Sequence, residues 1–216
     1  LNSTYDARHP LIIGNARIDD YRGQRKVMTL PEIFTHSSNI GTAKMALDVG
    51  IEKHQAFLRK VGLMDRMQTE LPESAKPILP KRWGRLVSAT AAFGHGFAVQ
   101  PLQGLTVVAG LLNNGKMLQP TFLRRTQEEA DAMAQQIVSE STSRQMRYLF
   151  RLNAEKGSAS KANVPGYRVG GKTGTAEKVV GGRYSGNHRL TSFIGAFPSD
   201  DPQYAMRLGS NHIERL

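Results

Sequence analysis

The sequence contains no cysteine, which excludes disulfides, thiolate metal sites and cysteine nucleophiles from this chain. Long apolar runs are missing too. The longest, Val107-Val108-Ala109-Gly110-Leu111-Leu112, is far too short to cross a bilayer. Residues 1–8 are polar and lack the basic and apolar regions of a signal peptide, so any membrane anchor is expected outside this chain. Aromatic residues are scarce at 7%, and the six histidines (His9, His36, His54, His95, His188, His212) include no pair at metal-ligand spacing. No metal site is expected. Acidic residues are outnumbered by basic ones, 18 to 29, leaving a formal charge of +11. That excess invites a nucleic-acid reading, but the basic runs at 22–26, 81–85 and 124–125 are separated and no aromatics interleave with them to stack bases. The expectation is a solvated basic surface suited to an anionic envelope, with no nucleic-acid partner.

What is present suits one domain, or a large piece of one. The chain has 216 residues, of which 39% are hydrophobic and 22% charged, an ordinary globular balance. Thr29-Leu30-Pro31-Glu32 combines a capping threonine, a glutamate three residues later and a first-turn proline, so a short helix is expected to run to His36. Helices follow over residues 40–49 and 52–61, stopped by Gly50 and Gly62. Three prolines between 71 and 80 mark a surface loop. A helix over 101–113 should bury Leu102, Leu105, Ala109 and Leu112, and another over 139–154 should bury Met146, Leu149 and Phe150.

The character then changes. Tyr167-Arg168-Val169 leads into Gly170-Gly171-Lys172-Thr173-Gly174-Thr175, then Val179-Val180 before Gly181-Gly182, and Ser192-Phe193-Ile194-Gly195-Ala196-Phe197. Strands around a glycine turn give antiparallel sheet, with a turn at Asp200-Asp201-Pro202 and a further strand from Gln203. Helices followed by consecutive strands indicate an α+β fold.

Two segments carry chemistry. Lys172, Thr173 and Thr175 place a charge and two hydroxyls along a glycine-rich strand, which suits an anionic ligand docking at a strand edge. A P-loop does not explain them, because the lysine precedes the final glycine and strand signals follow it. Ser37-Ser38-Asn39 lies between two helices, where helix capping alone accounts for serine and asparagine. Their order alters that reading, since Ser-x-Asn precedes Lys-Thr-Gly with helices between and strands after.

On these motifs the sequence resembles the transpeptidase domain of class B penicillin-binding proteins, and most resembles the septal, cell-division D,D-transpeptidase. The resemblance runs from about Thr29 to Met206. It takes in His36-Ser37-Ser38-Asn39-Ile40-Gly41, Phe93-Gly94-His95-Gly96-Phe97-Ala98-Val99-Gln100-Pro101-Leu102-Gln103, Asn113-Asn114-Gly115 and Val164-Pro165-Gly166-Tyr167-Arg168-Val169-Gly170-Gly171-Lys172-Thr173-Gly174-Thr175-Ala176.

The resemblance implies the penicillin-binding and serine β-lactamase-like transpeptidase fold, an antiparallel sheet with helices packed on it, here expected to be incomplete at both ends. It implies a partial transpeptidase domain over 1–206, followed over 207–216 by an atypical polar tail, either a cloning artefact or an altered terminus. Ser37, Asn39 and Lys172 take catalytic roles, and Thr173, Gly174 and Thr175 bind substrate. Ser37 relays a proton to the leaving amine, Asn39 contacts substrate, and the N–H of Thr175 is one oxyanion donor. These residues are expected to converge on one cleft. The strand bearing Lys172 should be an edge strand.

Peptidoglycan stem peptides, β-lactams and division proteins are the implied partners, on the periplasmic side of the inner membrane, with no cofactor required. The family's nucleophile lies in a Ser-x-x-Lys motif before Ser-x-Asn, and residues 1–36 contain none. The chain alone is therefore expected to be inactive. The one Ser-x-x-Lys present, Ser158-Ala159-Ser160-Lys161, falls on the wrong side and is expected to be a decoy in a mobile loop. Two other readings stay open: a non-catalytic fragment binding peptidoglycan or division proteins, and a serine β-lactamase, which needs a deacylating glutamate that Glu70 and Glu73 do not match by pattern.

Overall fold

The computed structural model describes residues 1–180 and 183–213. The chain divides into two compact units, Leu1–Met146 and Arg147–Leu216. In chain order the elements are β1 (Thr4–Asp6), β2 (Leu11–Ile13), β3 (Ala16–Ile18), β4 (Val27–Thr29), α1 (Leu30–His36), α2 (Asn39–Val49), α3 (Ile51–Lys60), α4 (Arg85–Ala91), α5 (Pro101–Leu112), β5 (Lys116–Met117), α6 (Gln127–Met133), β6 (Gln135–Gln136), α7 (Glu140–Lys156), β7 (Gly170–Val180), β8 (Arg183–Phe197) and β9 (Tyr204–Ile213). The arrangement is α+β with antiparallel pairing throughout.

In the first unit, short ribbons hold the helix that delivers the chain to Ser37. β1 pairs with β4, so Thr4 lies opposite Thr29 at the start of α1. Thr29 and Glu32 form the expected capping box: the Glu32 carboxylate accepts the Thr29 N–H at 2.8 Å. Lys26 Nζ also donates to Glu32, at 2.5 Å, and this contact leads the causes that hold the carboxyl down to about 2. Met28, Ile33, Ile40 and Ala7 are buried together beneath these elements. Gly41 makes that packing possible, since a Cβ there would meet Ile33 Cγ1 at 2.6 Å. β2 and β3 form a hairpin across Gly14-Asn15, and Ile18 at its end packs with Ala43 of α2 and Ala89 of α4.

A second cluster, Val61, Val107, Met117 and Ile137, sits where α5 meets β5. Here the structure corrects the expected face of α5: Leu102 is 37% exposed, while Gln103, Val107, Gly110 and Leu112 are buried. The reason is Gln103. Its amide nitrogen donates to the carbonyls of Gly62 and Asp65 at 2.9 and 2.8 Å, and its Oε1 accepts the Gln100 N–H. A glutamine with three satisfied bonds is held inward and rotates its neighbour Leu102 out.

In the second unit, β7, β8 and β9 form a three-stranded sheet in that order. The C-terminal half of α7 lies against β7, and a Cβ on Gly170 would come within 3.2 Å of the α7 backbone at Phe150 and Arg151. Gly171 and Gly195 are opposite each other and leave room for the Phe193 ring, which a Cβ on Gly171 would approach to 2.3 Å. β9 runs on into the expected polar tail after Met206. Arg207, Leu208 and Gly209 continue β9 opposite Ile194, Phe193 and Ser192, because strand pairing uses main-chain groups whatever the side chain. The expected Gly181-Gly182 turn and residues 214–216 of the expected tail lie outside the described residues.

Candidate active site

The residues singled out by motif fall into two groups, one in each unit. Ser37 and Asn39 share the corner between α1 and α2, and Lys172, Thr173, Gly174 and Thr175 share β7.

At the corner the capping role expected of serine belongs to Ser38. Its Oγ accepts the Gly41 N–H at 3.0 Å and donates to Asp20 Oδ2 at 2.8 Å, and the residue is buried. Ser37 instead ends α1 in the left-handed region, at φ 55° and ψ 47°, where its N–H returns to the Ile33 and Phe34 carbonyls. An L-residue there costs roughly 1–2 kcal/mol, and glycine is the usual solution. A serine at this position exposes its side chain at the corner at the expense of local strain. Asn39 opens α2 half-buried, and its Nδ2 donates to the Asp19 carbonyl at 3.0 Å. That bond fixes the amide plane and with it the direction of Oδ1.

Asp19 and Asp20 were not legible as site residues. Asp20 accepts both the Ser38 hydroxyl and, at 2.9 Å, the Ile40 N–H, and so clamps the corner from the β3 side. Asp19 receives Arg17 at 2.9 Å and Arg25 at 3.1 Å while its carbonyl holds Asn39. Two adjacent carboxylates after a short strand carry no pattern that names them. Replacing Asp20 by alanine strands two donors at a partly buried corner, which typically costs about 1–3 kcal/mol. Asp20→Ala is therefore expected to lower the melting temperature by several degrees, and an unaltered melting temperature would show that the clamp is dispensable to the corner.

On β7 the expected edge is present: among the described residues this strand pairs with β8 alone. Lys172 is half-buried, and burial pushes its ammonium down to about 8. Its Nζ donates to the Thr173 carbonyl at 2.9 Å. Thr173 and Thr175 are two apart and therefore project to the same side of the strand, with Gly174 between them opposite Ser192. A Cβ on Gly174 would reach the Ser192 hydroxyl at 3.0 Å. A cation, two hydroxyls and an open strand edge together suit an extended peptide ending in a carboxylate.

Ser158 lies in the expected loop, at a turn. It sits just after α7, and its Oγ accepts the Thr173 hydroxyl at 2.7 Å. The helical turn begins only at Ser160, so Ser158 and Lys161 do not share the one-turn helical spacing that would align a nucleophile with its base. Glu70, weighed as a deacylating base, is engaged elsewhere: its carboxylate takes the Thr121 hydroxyl and, at 3.0 Å, the Phe122 N–H. The Thr121 bond leads the causes that hold it below the usual carboxylate range.

A family model described as the penicillin binding protein transpeptidase domain matches residues 2–212. "Probable peptidoglycan D,D-transpeptidase FtsI" of Caulobacter vibrioides is 40% identical over 210 residues, which cover 95% of this chain and 36% of that protein. "Stage V sporulation protein D" of Bacillus subtilis is 33% identical over 92% of this chain and 32% of that protein. The chain thus spans about a third of the length of these curated relatives. Among solved structures, the transpeptidase domain of Burkholderia pseudomallei penicillin-binding protein 3 superposes with a TM-score of 0.90 at 27% identity, over 98% of this chain and 64% of that one. Penicillin-binding protein 3 of Mycobacterium tuberculosis, solved with aztreonam, gives 0.85 at 25% identity, over 99% and 52%.

Proposed function

Because this chain belongs to the penicillin-binding protein transpeptidase family, we propose that its full-length parent is a peptidoglycan D,D-transpeptidase acting at the division septum. The observation that carries the reading is the open edge of β7, bearing Lys172, Thr173 and Thr175 in line. A stem peptide ending in D-Ala-D-Ala adds beside that edge as an extra strand, its terminal carboxylate meeting the Thr173 and Thr175 hydroxyls in the field of Lys172.

The reaction is two acyl transfers. A serine hydroxyl from the family's Ser-x-x-Lys motif, which does not occur before Ser37 in this chain, attacks the penultimate D-Ala carbonyl. The peptide C–N bond breaks, and the terminal D-Ala leaves as an amine after taking a proton through Ser37. The amine of a neighbouring strand then attacks the ester, forming the cross-link and releasing the serine. The Thr175 N–H serves as an oxyanion donor and Asn39 orients the substrate through its side-chain amide; loss of one oxyanion donor typically costs on the order of a hundredfold or more. A β-lactam enters the first step and stalls at the ester, since its strained amide and carboxylate imitate the same terminus.

The septal assignment rests on the 40% identity to a relative carrying the FtsI name. Division proteins are the proposed partners, and the periplasmic side of the inner membrane is the proposed location. Among the described residues no helix is long and apolar enough to cross a membrane. The test is release of D-alanine from a stem pentapeptide by the full-length protein, blocked by prior acylation with a fluorescent penicillin. Absence of both labelling and D-alanine release would favour the non-catalytic binding role; rapid turnover of a chromogenic cephalosporin would favour a β-lactamase.

A further inference from the structure

Asn153 has no exposed surface, and every polar atom of its side chain is used. Nδ2 donates to the Gly171 carbonyl at 2.7 Å. Oδ1 accepts the Ser158 N–H at 3.0 Å and the Ser158 hydroxyl at 3.3 Å. Ser158 Oγ in turn accepts the Thr173 hydroxyl at 2.7 Å. A chain of hydrogen bonds thus runs from the end of α7 to the middle of the Lys-Thr-Gly motif, all within one compact unit. The two bonds from Asn153 to main-chain groups are enough to satisfy a buried amide and pin α7 to β7. The Ser158 hydroxyl adds nothing to that task, for it lies at the exposed end and water would satisfy it. Its contact is with Thr173.

We propose that Ser158, held by Asn153, is a positioning residue that sets the Thr173 hydroxyl for the carboxylate of the incoming peptide or β-lactam; this rests on the reading of Thr173 given above. A hydroxyl has one proton to donate and two lone pairs to accept with. In the arrangement seen, Thr173 donates to Ser158 and Ser158 donates to Asn153 Oδ1. When a carboxylate docks, the Thr173 proton turns to it, and the Ser158 proton turns from Asn153 to Thr173 Oγ1. Asn153 Oδ1 keeps the Ser158 N–H, so no buried acceptor is orphaned by the switch. The carboxylate meets a donor whose rotamer is already held, and whose O–H is polarised by accepting a bond itself.

The experiment compares acylation of the full-length protein by a penicillin with acylation by its methyl ester, which lacks the anion. Each variant is read as the ratio of the two second-order rates, which is independent of how much of the preparation is folded. Wild type is expected to favour the acid strongly, Ser158→Ala to reduce the ratio about tenfold, the change equivalent to one hydrogen bond of about 1.4 kcal/mol, and Ser158→Thr to restore it to within about twofold. A ratio in Ser158→Ala equal to wild type overturns the inference, and equal slowing of acid and ester gives that same ratio, assigning Ser158 to structure alone. The underlying reading fails separately, if Thr173→Val leaves the acid-to-ester ratio of wild type intact.

Discussion

Lys172→Met in the full-length protein is expected to lower the second-order rate of penicillin acylation by at least a hundredfold. Methionine matches the length of the lysine stem and removes only the charge and its donors, so packing against the half-buried site is kept. At about 4 Å and an effective dielectric near 20, a unit charge pair is worth about 4 kcal/mol, roughly a thousandfold, and part of that is recovered from the neighbouring hydroxyls. Arginine is not expected to rescue, because its planar fork does not fit where a compact ammonium lies partly buried.

The same lysine sets a pH limit. Burial brings its ammonium down to about 8, so the charged form dominates below that pH and is lost above it. Acylation of the wild type is expected to fall as pH rises through about 8, about tenfold per unit beyond, and this limb is expected to vanish in Lys172→Met. At saturating ligand the limb should move to higher pH, since a bound carboxylate favours the ammonium. A methionine variant within about threefold of wild type, or one with the alkaline limb intact, would remove Lys172 from the mechanism.

The helical half of the fold was legible wherever local chemistry and periodicity agree. Thr29 and Glu32 mark the start of α1, and Gly50 stops α2, because caps act within one turn and leave a local signature. The face of α5 was misread because a buried glutamine looks polar in sequence, and only its bonds to Gly62 and Asp65 reveal why it points inward. The short strands β1 to β4 went unread for a different reason. Three-residue pairs such as Thr4 with Thr29 join distant segments, and no window of sequence contains both partners. The Gly14-Asn15 hairpin was the exception, a local turn signal that was present and passed over.

The same division holds at the site. Residues bearing chemistry, Ser37, Asn39, Lys172, Thr173 and Thr175, sit in motifs that sequence alone can display. Those that hold them, Asp19, Asp20, Asn153 and Ser158, act through hydrogen bonds across 15 or more positions, and nothing in their residue types announces it. The Ser-x-x-Lys spacing of Ser158 and Lys161 excludes Ser158 only as a nucleophile, since the two share no helical turn. That exclusion concerned attack on a carbonyl; positioning a neighbouring hydroxyl needs only reach, which the contact with Thr173 supplies.

Incubated alone with a fluorescent penicillin, the 216-residue chain is expected to form no stable covalent adduct, whereas the full-length parent is labelled. Acylation needs a serine whose proton passes to an adjacent base, and the family pairs serine and lysine one helical turn apart so that both face the same substrate. No such pair precedes Ser37. Ser37 presents its side chain at a strained corner, but the position one helical turn on is Ile40 rather than a lysine, and an ordinary alcohol is a weak nucleophile at neutral pH. Ser158 has a lysine three positions on but not on a helical turn with it, and its hydroxyl is bonded to Asn153 and Thr173. Removing the nucleophile of a site built around it abolishes most of the rate enhancement and leaves binding and residual electrostatics. The difference in labelling rate is therefore expected to exceed a thousandfold, larger than the effect of any single substitution above. A band that survives denaturation, mapped by mass spectrometry to Ser37 or Ser158, would require a nucleophile within this chain and would overturn the assignment of Ser37 as a relay or of Ser158 as a positioning residue.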